Sequence, residues 1–92
     1  MKQNEAETIA LNALSFLIGN ETRLERFMTL SGMDPGALKD NASDPFFLAG
    51  ILDYLLQDET LIYMFAEEYN LSPALPATAR RTLAGGNNGD YH

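Results

Sequence analysis

The chain contains no valine, and its only β-branched apolar residues are Ile9, Ile18, Ile51 and Ile62, too scattered to build strands. No segment of four or more residues sustains an alternation of polar and apolar side chains. Strands are therefore closed to it, and helices must bury its apolar residues. The expected fold is all-α, a compact bundle of about five to six short helices in one domain over residues 1–84.

Helix start and stop signals divide the sequence with little ambiguity. Asn4 is placed to cap a first helix, with Glu7 completing a capping box. That helix runs to about Ile18, and Gly19 suits a left-handed end. Its inward stripe is Ala6, Ile9, Ala10, Ala13, Leu14 and Leu17. Asn20 caps a second helix with Leu24, Phe27 and Met28 as its stripe and Gly32 as its stop. Asp34-Pro35 and Asp44-Pro45 open a third and a fourth, because proline is tolerated at the first helical position. Asp58 caps a fifth, from Glu59 to about Tyr69, which Asn70 ends. Ser72-Pro73 opens a sixth, with Pro76 expected to distort its first turn. Gly85-Gly86-Asn87-Asn88-Gly89 reads as the start of a disordered tail over 85–92.

The fourth helix is apolar nearly all round. Phe46, Phe47, Leu48, Ala49, Ile51, Leu52, Tyr54, Leu55 and Leu56 leave only Gly50 and Asp53 outside the apolar set. Such a helix belongs at the centre, covered on most sides. Gly50 would then admit a close neighbour, at a helix-propensity cost of about 1 kcal/mol.

A shift of 38 residues aligns Leu11–Leu38 with Ala49–Pro76 without a gap. Leu14, Leu17, Glu21, Thr22, Phe27 and Pro35 fall on Leu52, Leu55, Glu59, Thr60, Phe65 and Pro73. Asn20 falls on Asp58 and Gly32 on Asn70, so cap and stop positions coincide as well. Two units are too few for a solenoid. The expectation is two pseudo-repeated helical units packed face to face around the central apolar helix.

The same alignment singles out a surface. Arg23, Glu25 and Arg26 of the first unit correspond to Leu61, Tyr63 and Met64 of the second. Three charged positions have become large apolar ones. Either another helix, the first or the sixth, covers them, or they form an exposed patch of the Tyr- and Met-rich kind found at interfaces. In the second case Glu59, Glu67 and Glu68 make an acidic rim around it.

Charge removes several function classes. Six Lys and Arg stand against thirteen Asp and Glu, a formal charge of −7, and no Lys or Arg lies between Asp40 and Ala79. A basic face for phosphate or for an anionic membrane is missing. Pro45–Leu52, the longest apolar stretch, is far below the ~20 residues that span a bilayer. The Met1-Lys2-Gln3-Asn4-Glu5 start lacks the order of a signal peptide, so the cytoplasm is the expected location.

Chemistry is equally constrained. Cysteine is absent and the only histidine is His92, so thiol nucleophiles, histidine triads and Cys/His metal cages have no ligands. Asp44 and Asp58 read as caps, Glu59 as a first-turn acid, and Glu67 and Glu68 as a solvated face. No glycine-rich phosphate loop and no alternating-acid calcium loop is present. No catalytic residue, metal site or cofactor is expected, and a small enzyme ranks last among the readings.

DNA binding is the serious rival. Phe27–Asn41 has the cadence of a helix-turn-helix, and the Phe65–Pro73 segment, followed by Arg80-Arg81, repeats it. Yet the first candidate reading helix offers only Lys39 and Asn41, beside Asp40 and Asp44. Phosphate contacts carry most of the affinity for DNA, and this surface is poor in them.

Leu14-Ser15-Phe16-Leu17, the Arg26–Gly32 segment, the Asp44–Glu59 block and Phe65-Ala66 resemble a family of short bacterial helical proteins of uncharacterised function. The resemblance covers about Ala6 to Ala84 and is most specific in the Asp44–Glu59 block. It implies a soluble bacterial helical protein and brings no activity, cofactor or functional residue with it.

The function expected from the residues is non-catalytic protein–protein interaction, as an adaptor or regulator. Leu61, Tyr63 and Met64 form the apolar centre of the site, with Glu59, Glu67 and Glu68 around it. The partner is a protein, of basic character or a second copy of the chain. An acidic rim steers a basic partner and raises the association rate more than the affinity.

Overall fold

The computed structural model describes residues 1–83, Pro35 by its backbone alone. The tail expected at 85–92, and Ala84, lie outside the described residues. The elements are α1 (Gln3–Ile18), α2 (Glu21–Ser31), α3 (Pro35–Asp40), α4 (Pro45–Leu56), α5 (Glu59–Tyr69) and α6 (Leu75–Thr82), and no strand forms among the described residues. The all-α bundle is as the sequence dictates.

Local hydrogen bonds explain most boundaries. The Arg23 N–H donates to Asn20 Oδ1 at 3.0 Å, opening α2. Asp34 and Asp44 accept from Ala37 and Phe46, opening α3 and α4. Asp58 accepts from both Thr60 and Leu61, at 3.0 and 3.3 Å, opening α5. Each cap satisfies backbone N–H groups that have no partner inside the helix. Gly32 (φ 73°) and Asn70 (φ 55°) end α2 and α5 in the left-handed conformation.

Three expected termini shift. α1 begins ahead of Asn4: Glu5 accepts from the Lys2 N–H at 2.9 Å, and Glu7 accepts from the Gln3 side chain instead of closing a box. Lys and Gln are good helix formers, so the helix runs back through Gln3 once that N–H has a partner. Gly19 is right-handed (φ −77°), and its lack of a side chain serves a close approach: a Cβ there would lie 2.9 Å from the Ser15 carbonyl oxygen. α6 starts at Leu75, after a turn in which the Ala74 N–H donates to Ser72 Oγ. Pro76 then sits in the first helical turn, where no N–H is needed, and distorts nothing.

Two helices share the centre. α1 packs against α2, α4, α5 and α6, and α4 packs against α1, α5 and α6. α1 supplies the fully buried small residues Ala6, Ala10 and Ala13, while α4 supplies Leu48, Ile51, Leu52 and Leu55. Small residues alternating with large ones let the layers interdigitate. The expected single central helix is thus a central pair.

α4 is also less covered than its composition implies. Phe46 is 74 % exposed, and Gly50, Asp53 and Gln57 follow it at helical spacing along a solvent-facing stripe. A Cβ at Gly50 would meet nothing within 4 Å, so this glycine serves no close helix approach. No polar or charged residue among those described is buried as a whole.

Aromatic rings tie the two halves together. Phe16 and Phe65 meet edge to face with centroids 5.6 Å apart, as do Phe27 and Tyr54 at 4.9 Å. A shift of 38 carries Phe16 to Tyr54 and Phe27 to Phe65, so each contact is the other with the halves exchanged. α2 and α5 occupy spans that the same shift superposes end to end.

Candidate functional site

α5 turns Phe65 and Ala66 fully into the core, with Ile62 and Tyr69 partly buried beside them. The opposite side of the helix is left to solvent. Tyr63 is 56 % exposed and Met64 43 %. Glu59 and Glu67 stand one turn before and one turn after Tyr63, all three exposed on one line of the helix. Neither carboxylate makes an ion pair or side-chain hydrogen bond with a described residue. Among the described residues, none buries Tyr63 or Met64.

Leu61 is different. It is half-buried and packs against the core, and with Leu17, Arg23, Arg26 and Tyr54 it lines a cavity of about 110 Å³. Its cover comes from α2 and α4 together with Leu17 of the first helix. It therefore sits at the edge of the face and not at its centre. Glu68 also leaves the line of Tyr63: its carboxylate lies 3.7 Å from the Arg23 guanidinium, bridging α5 to the start of α2. Of six expected site residues, Tyr63, Met64, Glu59 and Glu67 share the open face, while Leu61 and Glu68 face α2.

The α2–α5 seam has unlike ends. At one end Arg23 meets Glu68. At the other, Leu30 and Leu61 line an open groove of about 380 Å³ with Arg26, Tyr54, Asp58 and Glu59. Leu30 is 64 % exposed and, like Phe46, was not singled out from the sequence. A signal was present for Leu30: the 38-residue shift places it on Glu68, a polar position that is exposed.

The groups that DNA reading would use are largely engaged. The Asn41 side-chain amide donates to the Ala37 carbonyl at 2.8 Å. Arg80 Nε donates to Asp53 at 2.7 Å, and Arg81 donates to the Thr78 hydroxyl at 3.3 Å. Lys39 is exposed beside the exposed acids Asp40 and Asp44. Among the described residues no group of three or more acidic, histidine or cysteine side chains could hold a metal ion, and no helix is long and apolar enough to cross a membrane.

A family model described as "Protein of unknown function (DUF3572)" matches residues 3–86. The chain belongs to the DUF3572 family. The match takes in all six helices and the whole α5 face, so the face lies within the part of the chain that defines membership of DUF3572. No curated protein and no solved structure matches the chain at a significant level.

Proposed function

We propose that this DUF3572 protein is a non-catalytic protein–protein interaction domain, an adaptor or regulator that docks through the outer side of α5. One observation carries the reading: Tyr63 and Met64 stand exposed at positions where the first half of the chain has Glu25 and Arg26. Tyr63 and Met64 lie outside the core and the residues packed against it, and both residue types are enriched where proteins meet. Glu59 and Glu67, without an ion pair among the described residues, supply a charged margin. We further take the chain as a bacterial cytoplasmic protein built from an internal repeat. The exchanged aromatic contacts and the superposing spans of α2 and α5 support the repeat.

The test is a comparison of captures from the native cell, using the parent chain and a Tyr63→Asp/Met64→Asp variant of unchanged circular dichroism. The parent retains a defined protein that the variant loses. Identical captures from both would remove α5 as the docking face.

A further inference from the structure

The partner's chemistry can be argued from the charge arrangement on α5. Glu59, Tyr63 and Glu67 follow one another at intervals of four residues, so Tyr63 stands between two glutamates on one helix line, with successive Cβ atoms roughly 6 Å apart. Both carboxylates are exposed and unpaired among the described residues, and Met64 adds an apolar surface beside the ring. No Lys or Arg occurs between Asp40 and Ala79 to compensate them from within the second half. A cation over the Tyr63 face would gain the ring's quadrupole together with two carboxylates.

We propose that this face receives a basic amphipathic helix of a protein partner, with Lys or Arg side chains about one turn apart flanking an apolar residue that packs on Met64. This rests on the interaction reading above and specifies the partner's chemistry. The basic side chains lie along Glu59 and Glu67, and one of them crosses the Tyr63 ring.

A second copy of the chain does not fit the description. The chain's own helical arginines one turn apart are Arg23 and Arg26, and Arg23 is held against Phe16 within the fold. Arg80 is engaged by Asp53. Two copies, each carrying −7, also repel one another.

The probe is a blocked amphipathic model peptide with lysines flanking a leucine stripe, titrated into the full chain and followed by ¹H–¹⁵N shifts. Saturable shifts confined to α5 are expected. Glu59→Gln/Glu67→Gln should weaken binding about three- to tenfold, as loss of two exposed ion pairs implies. Tyr63→Leu, which keeps apolar bulk and removes the ring face, should weaken it about threefold. The same peptide with glutamate in place of lysine should not bind. Shifts spread over the whole acidic surface, or affinity indifferent to these variants, would overturn the proposal, and so would dimerisation of the chain through α5 without peptide. If the peptide is indifferent while Tyr63→Asp/Met64→Asp still abolishes capture of a native partner, α5 docking stands and only the basic helix falls.

Discussion

The guanidinium of Arg23 lies 3.9 Å from the centroid of the Phe16 ring, with the side chain only 19 % exposed. Its Nε is buried without a partner, and its ion pair with Glu68 is long at 3.7 Å. The cation–π contact contributes about 2 kcal/mol when desolvated, while an unpaired buried N–H costs about 1–3 kcal/mol. These nearly cancel. At the corresponding position in the second half the chain carries Leu61.

Arg23→Leu is therefore expected to unfold in urea within about 1 kcal/mol of the parent, because an apolar group of similar bulk removes the orphan N–H along with the contact. Arg23→Ala should lose more, since it exposes the Phe16 ring and enlarges the neighbouring cavity. Glu68→Gln should change stability by less than about 0.5 kcal/mol, as for other exposed pairs. A loss of several kcal/mol in Arg23→Leu would show that the guanidinium holds the α1–α2 junction together.

The exchanged aromatic contacts make a second prediction. Phe65 is fully buried and touches both Phe16 and Tyr69. Phe65→Ala should cost about 3–5 kcal/mol, and Phe27→Ala, also buried, a comparable amount. A chain of this length has a total stability on the order of 5–10 kcal/mol, so either variant approaches the unfolding threshold. Tyr54→Phe keeps the ring against Phe27 and should stay within about 0.5 kcal/mol. Denaturant midpoints that separate Phe65→Ala widely from Phe27→Ala would mean that the two halves carry unequal loads.

Gly50 and Gly32 should respond to alanine with opposite signs. Gly50 has helical surroundings, open space and no contact to protect, so Gly50→Ala should stabilise by about 1 kcal/mol. Gly32 holds φ 73°, which disfavours a side chain, and Gly32→Ala should destabilise by about 1 kcal/mol. Thermal melts of the two variants decide the matter. A destabilising Gly50→Ala would mean that the bare stretch of α4 between Phe46 and Asp53 has a use that the isolated chain does not display.

What could be read in the sequence follows the range of the interactions involved. Asn20, Asp34, Asp44 and Asp58 mark their helices because each cap bonds to a backbone N–H two or three residues away. Asn4 is not the cap because Lys2 and Glu5 satisfy the same need two residues earlier. Pro76 misled because its effect depends on where the helix begins, and Ser72 and Pro73 form a turn ahead of it. Side-chain facing was harder. Composition alone put Phe46 and Gly50 inside and left Leu61 undecided, because which arc of α4 or α5 meets a neighbour is fixed by the crossing of helices far apart in sequence. The 38-residue comparison carried part of that information, since exposure at Glu68 recurs at Leu30.

The α5 face should also separate cleanly in stability measurements. Tyr63→Asp and Met64→Asp replace exposed side chains and should each cost no more than about 0.5 kcal/mol. Leu61→Asp places a carboxylate against Leu17 and Tyr54 at the edge of the core, where its desolvation is uncompensated, and should cost about 2 kcal/mol or more. Leu61 is therefore unsuited to testing a docking surface, because loss of a partner in that variant would follow from loss of structure. Urea titrations of the three single variants give the comparison. Equal and small effects at all three positions would return Leu61 to the exposed face, while a large effect at Tyr63 would mean that the ring is packed and not waiting for a partner.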